Sequence, residues 1–221
     1  MSYDKNIMVI PALTPSFGVE RVPWMQVHQD LLNTAVPMDR AAAETDPKFQ
    51  QIIPFVVVLG PPVRGEPMKI LAATRLSGGG ETRLHGGITL GFGGHVKWEG
   101  KTDPAQQIME DLARELEEEL GLLPDQYTQP DFHAVISDPT SEVSEVHLGL
   151  LFFVQLKPDV SINDVRSQEP DSLKTFWTTL DYLPLLSERL EMWAKLTHDY
   201  MFSLAQEQAE RAQQMPMGMG G

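Results

Sequence analysis

Residues 114 to 122 read RELEEELGL, with Arg114 beside Glu115, and Glu117, Glu118 and Glu119 following within one turn. Carboxylates packed this closely repel one another unless water or a cation offsets them. The residue types suit a hard divalent cation, which takes oxygen ligands. They suit a solvated acidic face equally well, and the choice depends on which way each side chain points.

That direction is set by a helix whose ends are written in the sequence. Asp103 can cap free N–H groups, Pro104 fits the first helical position, and Gln106 completes a capping-box pattern; Gly121 and Pro124 supply the stop. A helix from about 104 to 120 is predicted. At about 100° per residue, with Glu115 at zero, Ile108, Met109, Leu112, Ala113, Leu116 and Leu120 fall on one arc of about 140° that faces the core. Glu110 and Glu117 lie opposite that arc and read as solvated charges. Glu115, Glu118 and Glu119 share one edge of it, with Glu119 inside the apolar sector. One arginine cannot neutralise three acids there, whereas a divalent cation neutralises two and tolerates the third.

Around this helix the chain has globular composition: 221 residues, 42% hydrophobic and 22% charged, enough for one sizeable core. Runs rich in β-branched residues predict strands at 51–60 and 68–76, joined by a turn-rich hairpin loop, and at 88–96, where glycine interrupts the run. Further strands are predicted at 132–137, 146–156 and 174–180. Helices are expected at about 25–34 and 183–208. Strands mixed with substantial helices indicate an α/β fold, a sheet covered by helices. The expected organisation is one domain over residues 1–208, with 1–45 as an N-terminal extension packed on it and 209–221 as a flexible tail.

No run approaches the roughly 18 to 20 apolar residues of a membrane span, and the N-terminus lacks the marks of a signal peptide, so a soluble, cytoplasmic protein without membrane attachment is expected. With no cysteine, thiolate catalysis, disulfides and Cys–zinc sites are excluded, and any metal must be held by oxygen or imidazole. A formal charge of −14, from 17 basic against 31 acidic residues, argues against extended nucleic-acid binding through phosphate neutralisation. An anionic substrate would need a divalent cation or a few placed arginines.

Arg114, Glu115, Leu116, Glu118, Glu119, Gly121 and Leu122 match the second half of the Nudix signature, G-x5-E-x7-R-E-U-x-E-E-x-G-U with U aliphatic, and the chain resembles Nudix hydrolases in this stretch. The first half departs from the pattern and admits two alignments. Counting strictly back, Gly100 takes the glycine place and Gln106 stands where the family has Glu. Alternatively Gly94, in the GFGGHV stretch, takes it with about six extra residues before the helix, a reading favoured because a glycine pair after a strand lets backbone approach a ligand closely. The resemblance extends over most of residues 40 to 195, to a subgroup of predicted Nudix phosphoesterases.

The resemblance implies an α/β/α sandwich with a mixed sheet and hydrolysis of a nucleoside diphosphate linked to another moiety, with Mg²⁺ or Mn²⁺ as cofactor. On matching positions, Glu118 and Glu119 would bind the metal, Glu115 would bind metal or take the water proton, Arg114 would orient a glutamate, and the Gly94 carbonyl is a further ligand candidate. Members of the family often take one more carboxylate from a distant loop; Glu169 is the first candidate, ahead of Glu145 and Asp138. Arg75, Arg83, His85 and His95 flank the glycine-rich segments and are candidates for substrate binding. Trp24, Phe92, Trp98 and Trp177 could stack a base, although core packing is the commoner use of such residues. Nudix proteins often form homodimers. The alternative is a non-catalytic nucleotide-binding or regulatory protein on the same scaffold, which the displaced first half of the signature favours and the intact acidic half opposes.

Overall fold

The apolar run in the fifties becomes the centre of the protein because it is buried on both faces, and that is why it reads as continuous rather than alternating. The computed structural model describes residues 6–13, 17–78, 85–100, 103–140 and 142–214. Its strands are β1 (Asn6–Pro11), β2 (Gly18–Glu20), β3 (Val36–Asp39), β4 (Phe49–Leu59), β5 (Lys69–Arg75), β6 (Ile88–Thr89), β7 (Asp131–Ser137), β8 (His147–Gln155) and β9 (Leu173–Thr179). Its helices are α1 (Trp24–Thr34), α2 (Arg40–Ala43), α3 (Pro104–Leu120), α4 (Glu142–Glu145) and α5 (Met192–Gln214).

The main sheet runs β2-β7-β8-β4-β1-β3, with β5 joining β4 to β6 and β9. β4 and β8 are parallel from Gln51↔His147 to Leu59↔Gln155, and the other strand pairs among the described residues are antiparallel. Ile52, Val56 and Val58 of β4 pack on one side with Ile108, Leu112, Leu116 and Leu120 of α3. Phe55, Val57 and Leu59 point the other way, into a cluster with Ala194 and Met201 of α5. The sheet is thus mixed and covered by helices on both faces, in agreement with the expected α/β/α sandwich.

Three elements depart from the expected ones. Of the strand expected at 88–96, only Ile88–Thr89 pairs continuously; beyond it the chain crosses β4, touching it through the mutual Val56–Phe92 backbone pair at 2.9 Å. Glycine makes that crossing feasible, since a Cβ on Gly91 would lie 2.4 Å from the Phe55 ring. The helix expected at 183–208 is broken: a 3-10 turn at Leu183–Leu186 is followed by a segment that pairs with Ile88, through Ile88 N–H to Arg189 O at 2.7 Å and Glu191 N–H to Ile88 O at 3.0 Å. Tertiary pairing there outweighs helical periodicity. α5 then continues to Gln214, past the point where the flexible tail was expected to begin. Within the N-terminal 45 residues, β1 sits between β4 and β3 with Met8 and Val9 fully buried.

Candidate active site

α3 begins and ends where its capping residues predict. The Asp103 side chain accepts from the Ala105 N–H at 2.9 Å and also faces His28 Nε2 at 2.9 Å. Gln106 does not close a capping box; its amide donates to Glu110 one turn on, at 2.9 Å. Gly121 takes the left-handed conformation at φ 68°, and the Leu122 N–H reaches back to Leu116 O at 3.1 Å, ending the helix in a Schellman-type turn.

Arg114 is the hub of the acidic edge. Its guanidinium contacts Asp111 Oδ1 at 2.9 Å, Glu115 Oε1 at 2.8 Å and Glu118 Oε2 at 2.8 Å. Burial works against the Arg114 charge, but Glu115, then Asp111 and Glu118, more than offset it and raise its pKa. Asp111 is the residue that sequence reasoning missed. Its other oxygen accepts from the Lys97 N–H at 2.9 Å, so it ties Arg114 to the segment entering the helix. The signal was present: at about −40° on the wheel, Asp111 falls between Glu118 and Glu115.

The glycine pair meets the other side of this edge. A Cβ on Gly94 would lie 2.7 Å from Glu115 Oε1, so the missing side chain is what lets backbone and carboxylate touch. The Gly93 N–H donates to Glu119 Oε2 at 3.3 Å. Gly100, in the competing alignment, has open space around its Cβ position. Burial, and next the Glu115 charge, push the Glu119 carboxyl up to about 8, with Arg75 and the Gly93 N–H opposing and Glu169 adding. Burial also raises Glu115, although Arg114 pulls it back. Two partly buried acids, one of which raises the pKa of the other, set against glycine backbone, fit a divalent cation with oxygen ligands. Glu118 is more open, 57% exposed, and Arg114 rather than a shared point in space gathers Glu115 and Glu118.

The loop before β9 docks on the end of α3, where the Gln168 N–H donates to Glu119 O at 2.8 Å. It carries the exposed Glu169 into electrostatic range of Glu119. Asp138 caps its own turn at Thr140, and Glu145 is exposed on α4. Arg75 pairs with Glu191 at 2.6 Å while its charge reaches Glu119. His85 is half-buried in the turn before β6, and Arg83 lies outside the described residues. His95 places Nε2 3.3 Å from His147 Nε2 and 3.7 Å from Glu44 Oε1. Burial, then the charges of Arg40 and His147, lower its pKa to about 3.

The aromatic residues are structural. Trp24 packs on Phe132 and Phe152, Phe92 is buried, Trp98 lies against the α3 core, and Trp177 donates its indole N–H to Ile162 O at 2.9 Å. A cavity of about 510 Å³ opens beside α1, but it shares no lining residue with the acidic edge. Its charged lining residues are Glu20 and Asp30, which disfavour a phosphate.

No family model matches the chain. It is 35% identical over 172 residues to Protein YmaB of Bacillus subtilis, spanning 74% of this chain and 77% of YmaB. Among solved structures, Tm1382, a candidate Nudix hydrolase, is similar at TM-score 0.73 and 26% identity over 90% of this chain and 99% of Tm1382. A MutT/Nudix family protein from Listeria innocua shares the fold at TM-score 0.52 and 15% identity, over 72% of this chain and 95% of that one.

Proposed function

We propose, from the premise that the chain belongs to the Nudix family of hydrolases, that it cleaves the phosphoanhydride of a nucleoside diphosphate linked to another moiety, using Mg²⁺ or Mn²⁺. The observation that carries this reading is the pairing of Glu115 and Glu119 with the Gly93–Gly94 backbone, beside an arginine anchored by Asp111. Glu115, Glu118 and Glu119 would hold the cation, with the Gly94 carbonyl as a further ligand. When bound, the cation supplies charge neutralisation at the phosphates and activation of the attacking water.

The protein's own groups do the rest. Arg114 holds Glu115 and Glu118 in place by two contacts of 2.8 Å. Water oxygen attacks phosphorus, the bridging P–O bond breaks, and the water proton passes to Glu115 or to Glu169 arriving from the loop before β9. Arg75, close enough to Glu119 to affect its titration, is placed to meet a phosphate oxygen if it exchanges Glu191 for substrate. Local cationic help of this kind is how a protein of net charge −14 receives an anion.

The test is a screen of nucleoside diphosphate derivatives with Mg²⁺ and with Mn²⁺, on wild type, Glu118→Gln and Glu119→Gln. Cleavage by wild type is expected, with each variant slower by about two orders of magnitude or more. Equal binding of a compound by all three proteins with no cleavage would instead establish the non-catalytic reading.

A further inference from the structure

Glu44, His95 and His147 come from three distant parts of the chain: the end of α2, the residue after the glycine pair, and the first residue of β8. Among the described residues, they form the one group of three acidic or imidazole side chains whose ligand atoms all lie within 4.8 Å of one another. We propose that these three residues bind a transition-metal ion such as Zn²⁺ or Co²⁺, at a site separate from the carboxylates of α3.

The spacing is that of a coordination sphere. Metal–nitrogen bonds of about 2.0–2.1 Å in a tetrahedron put neighbouring ligand atoms about 3.3 Å apart. The two imidazole Nε2 atoms are 3.3 Å apart, and Glu44 Oε1 is 3.7 Å from that of His95. The rings meet edge to face rather than stacking, with centroids 5.4 Å apart and an interplanar angle of 62°, and their Nε2 atoms lie within hydrogen-bond reach of each other.

Ligand chemistry separates the two sites. The α3 edge offers oxygen alone, which suits Mg²⁺ and Mn²⁺; two imidazoles and one carboxylate favour borderline ions, and no cysteine competes for them. An unpartnered buried amide stands on the strand beside His147. Gln51 is fully buried, is the β4 register partner of His147, and leaves both its side-chain amide atoms without a hydrogen-bond partner. A buried amide left orphaned costs about 1–3 kcal/mol, and a water on the ion's open position would give it a partner.

The ion would fasten the glycine segment to α2 and β8. Because His95 follows Gly94, which touches Glu115, such a clasp fixes one wall of the α3 site from behind. Glu44 is available for it: its pair with Arg40 is long, at 3.8 Å, and exposed.

The test strips the full-length protein with chelator and titrates Co²⁺ in excess Mg²⁺, reading visible absorption and bound metal by mass spectrometry. Wild type, Glu118→Gln and Glu119→Gln are each expected to take up one equivalent with the spectrum of a nitrogen- and oxygen-ligated ion. His95→Gln and His147→Gln should lose that spectrum, and Glu44→Gln should weaken binding about tenfold or more. Because Glu44 is exposed, its variant decides the matter if a histidine variant fails to fold. Undiminished Co²⁺ binding in Glu44→Gln and both histidine variants, or loss in Glu119→Gln alone, would overturn the proposal. The carboxylate variants thereby separate failure of this site from failure of the hydrolase reading.

Discussion

Of the three carboxylates within reach of Arg114, Asp111 is the most enclosed, its side chain 8% exposed against 15% for Glu115 and 57% for Glu118. It fixes the guanidinium from the protein side, leaving Glu115 against the Gly94 backbone and Glu118 open to solvent. Asp111→Asn keeps the shape but loses the charge, so kcat should fall about 10- to 100-fold with little change in KM, as for other residues that orient ligands. Asp111→Ala should also cost about 1–3 kcal/mol in urea unfolding, because it removes the acceptor of both Arg114 and the Lys97 N–H. A change in KM alone would mean that Asp111 does not position the acids. Glu119 gives a second expectation, for the metal-free protein. Its folded pKa of about 8 lies above the unfolded 4.5. Between those values the folded state holds a proton that the unfolded state has released, so stability falls as pH rises through the window. Thermal melts in chelator from pH 5 to 8 should therefore decline more steeply for wild type than for Glu119→Gln. Parallel curves would show that Arg75, the Gly93 N–H and the surrounding water already offset the charge.

At the scale of elements, what the sequence revealed depended on whether the deciding interaction was local. Both ends of α3 were legible because Asp103, Pro104 and Gly121 act on their own turns, and so was the acidic edge, which needs only helical geometry. Asp111 was legible on the same wheel but went unread. The broken helix before α5 was not legible, since the pairing of Ile88 with residues 189–191 spans a hundred residues. The His95–His147 approach escaped for the same reason, having no local pattern. Gly93 and Gly94 were recognised as a close-approach pair, and the structure separates their duties. A Cβ on Gly93 would stand 1.9 Å from Pro54 O, at φ 143°, whereas the atoms nearest one on Gly94 belong to the Glu115 carboxylate. Gly93→Ala should thus destabilise by about 2 kcal/mol or more, through backbone conflict. Gly94→Ala should unfold within about 1 kcal/mol of wild type and yet lose most activity, because Glu115 must move. Equal melting temperatures for the two variants would contradict this division.

At the scale of the whole molecule, the first strand does more than a terminal extension would. β1 bonds to β4 on one side and to β3 on the other, with Val9 opposite both Gln51 and Val36. It also holds the strand-like segment that leads from the glycine pair to α3, through Met8 N–H to Val96 O at 2.8 Å and Trp98 N–H to Asn6 O at 3.0 Å. Lys97, between those two anchors, presents its N–H to Asp111, so the chain of support runs from β1 through Asp111 to Arg114 and the acidic edge. Ile7, Met8, Val9 and Ile10 are all at least 94% buried. At about 1.5–3 kcal/mol for each buried side chain, they contribute an amount comparable to the roughly 5–15 kcal/mol net stability of an ordinary domain. Their hydrophobic pattern is too short to distinguish a central strand from a loop anchor, so this role emerges only once β3 and β4 are seen on either side. A chain beginning at Ala12 should accordingly lose cooperative unfolding and near-ultraviolet circular dichroism, and with them any hydrolase activity. A truncated protein that still melts cooperatively near the wild-type temperature would show that β4 closes the sheet without it, and that the route from β1 to Arg114 is dispensable.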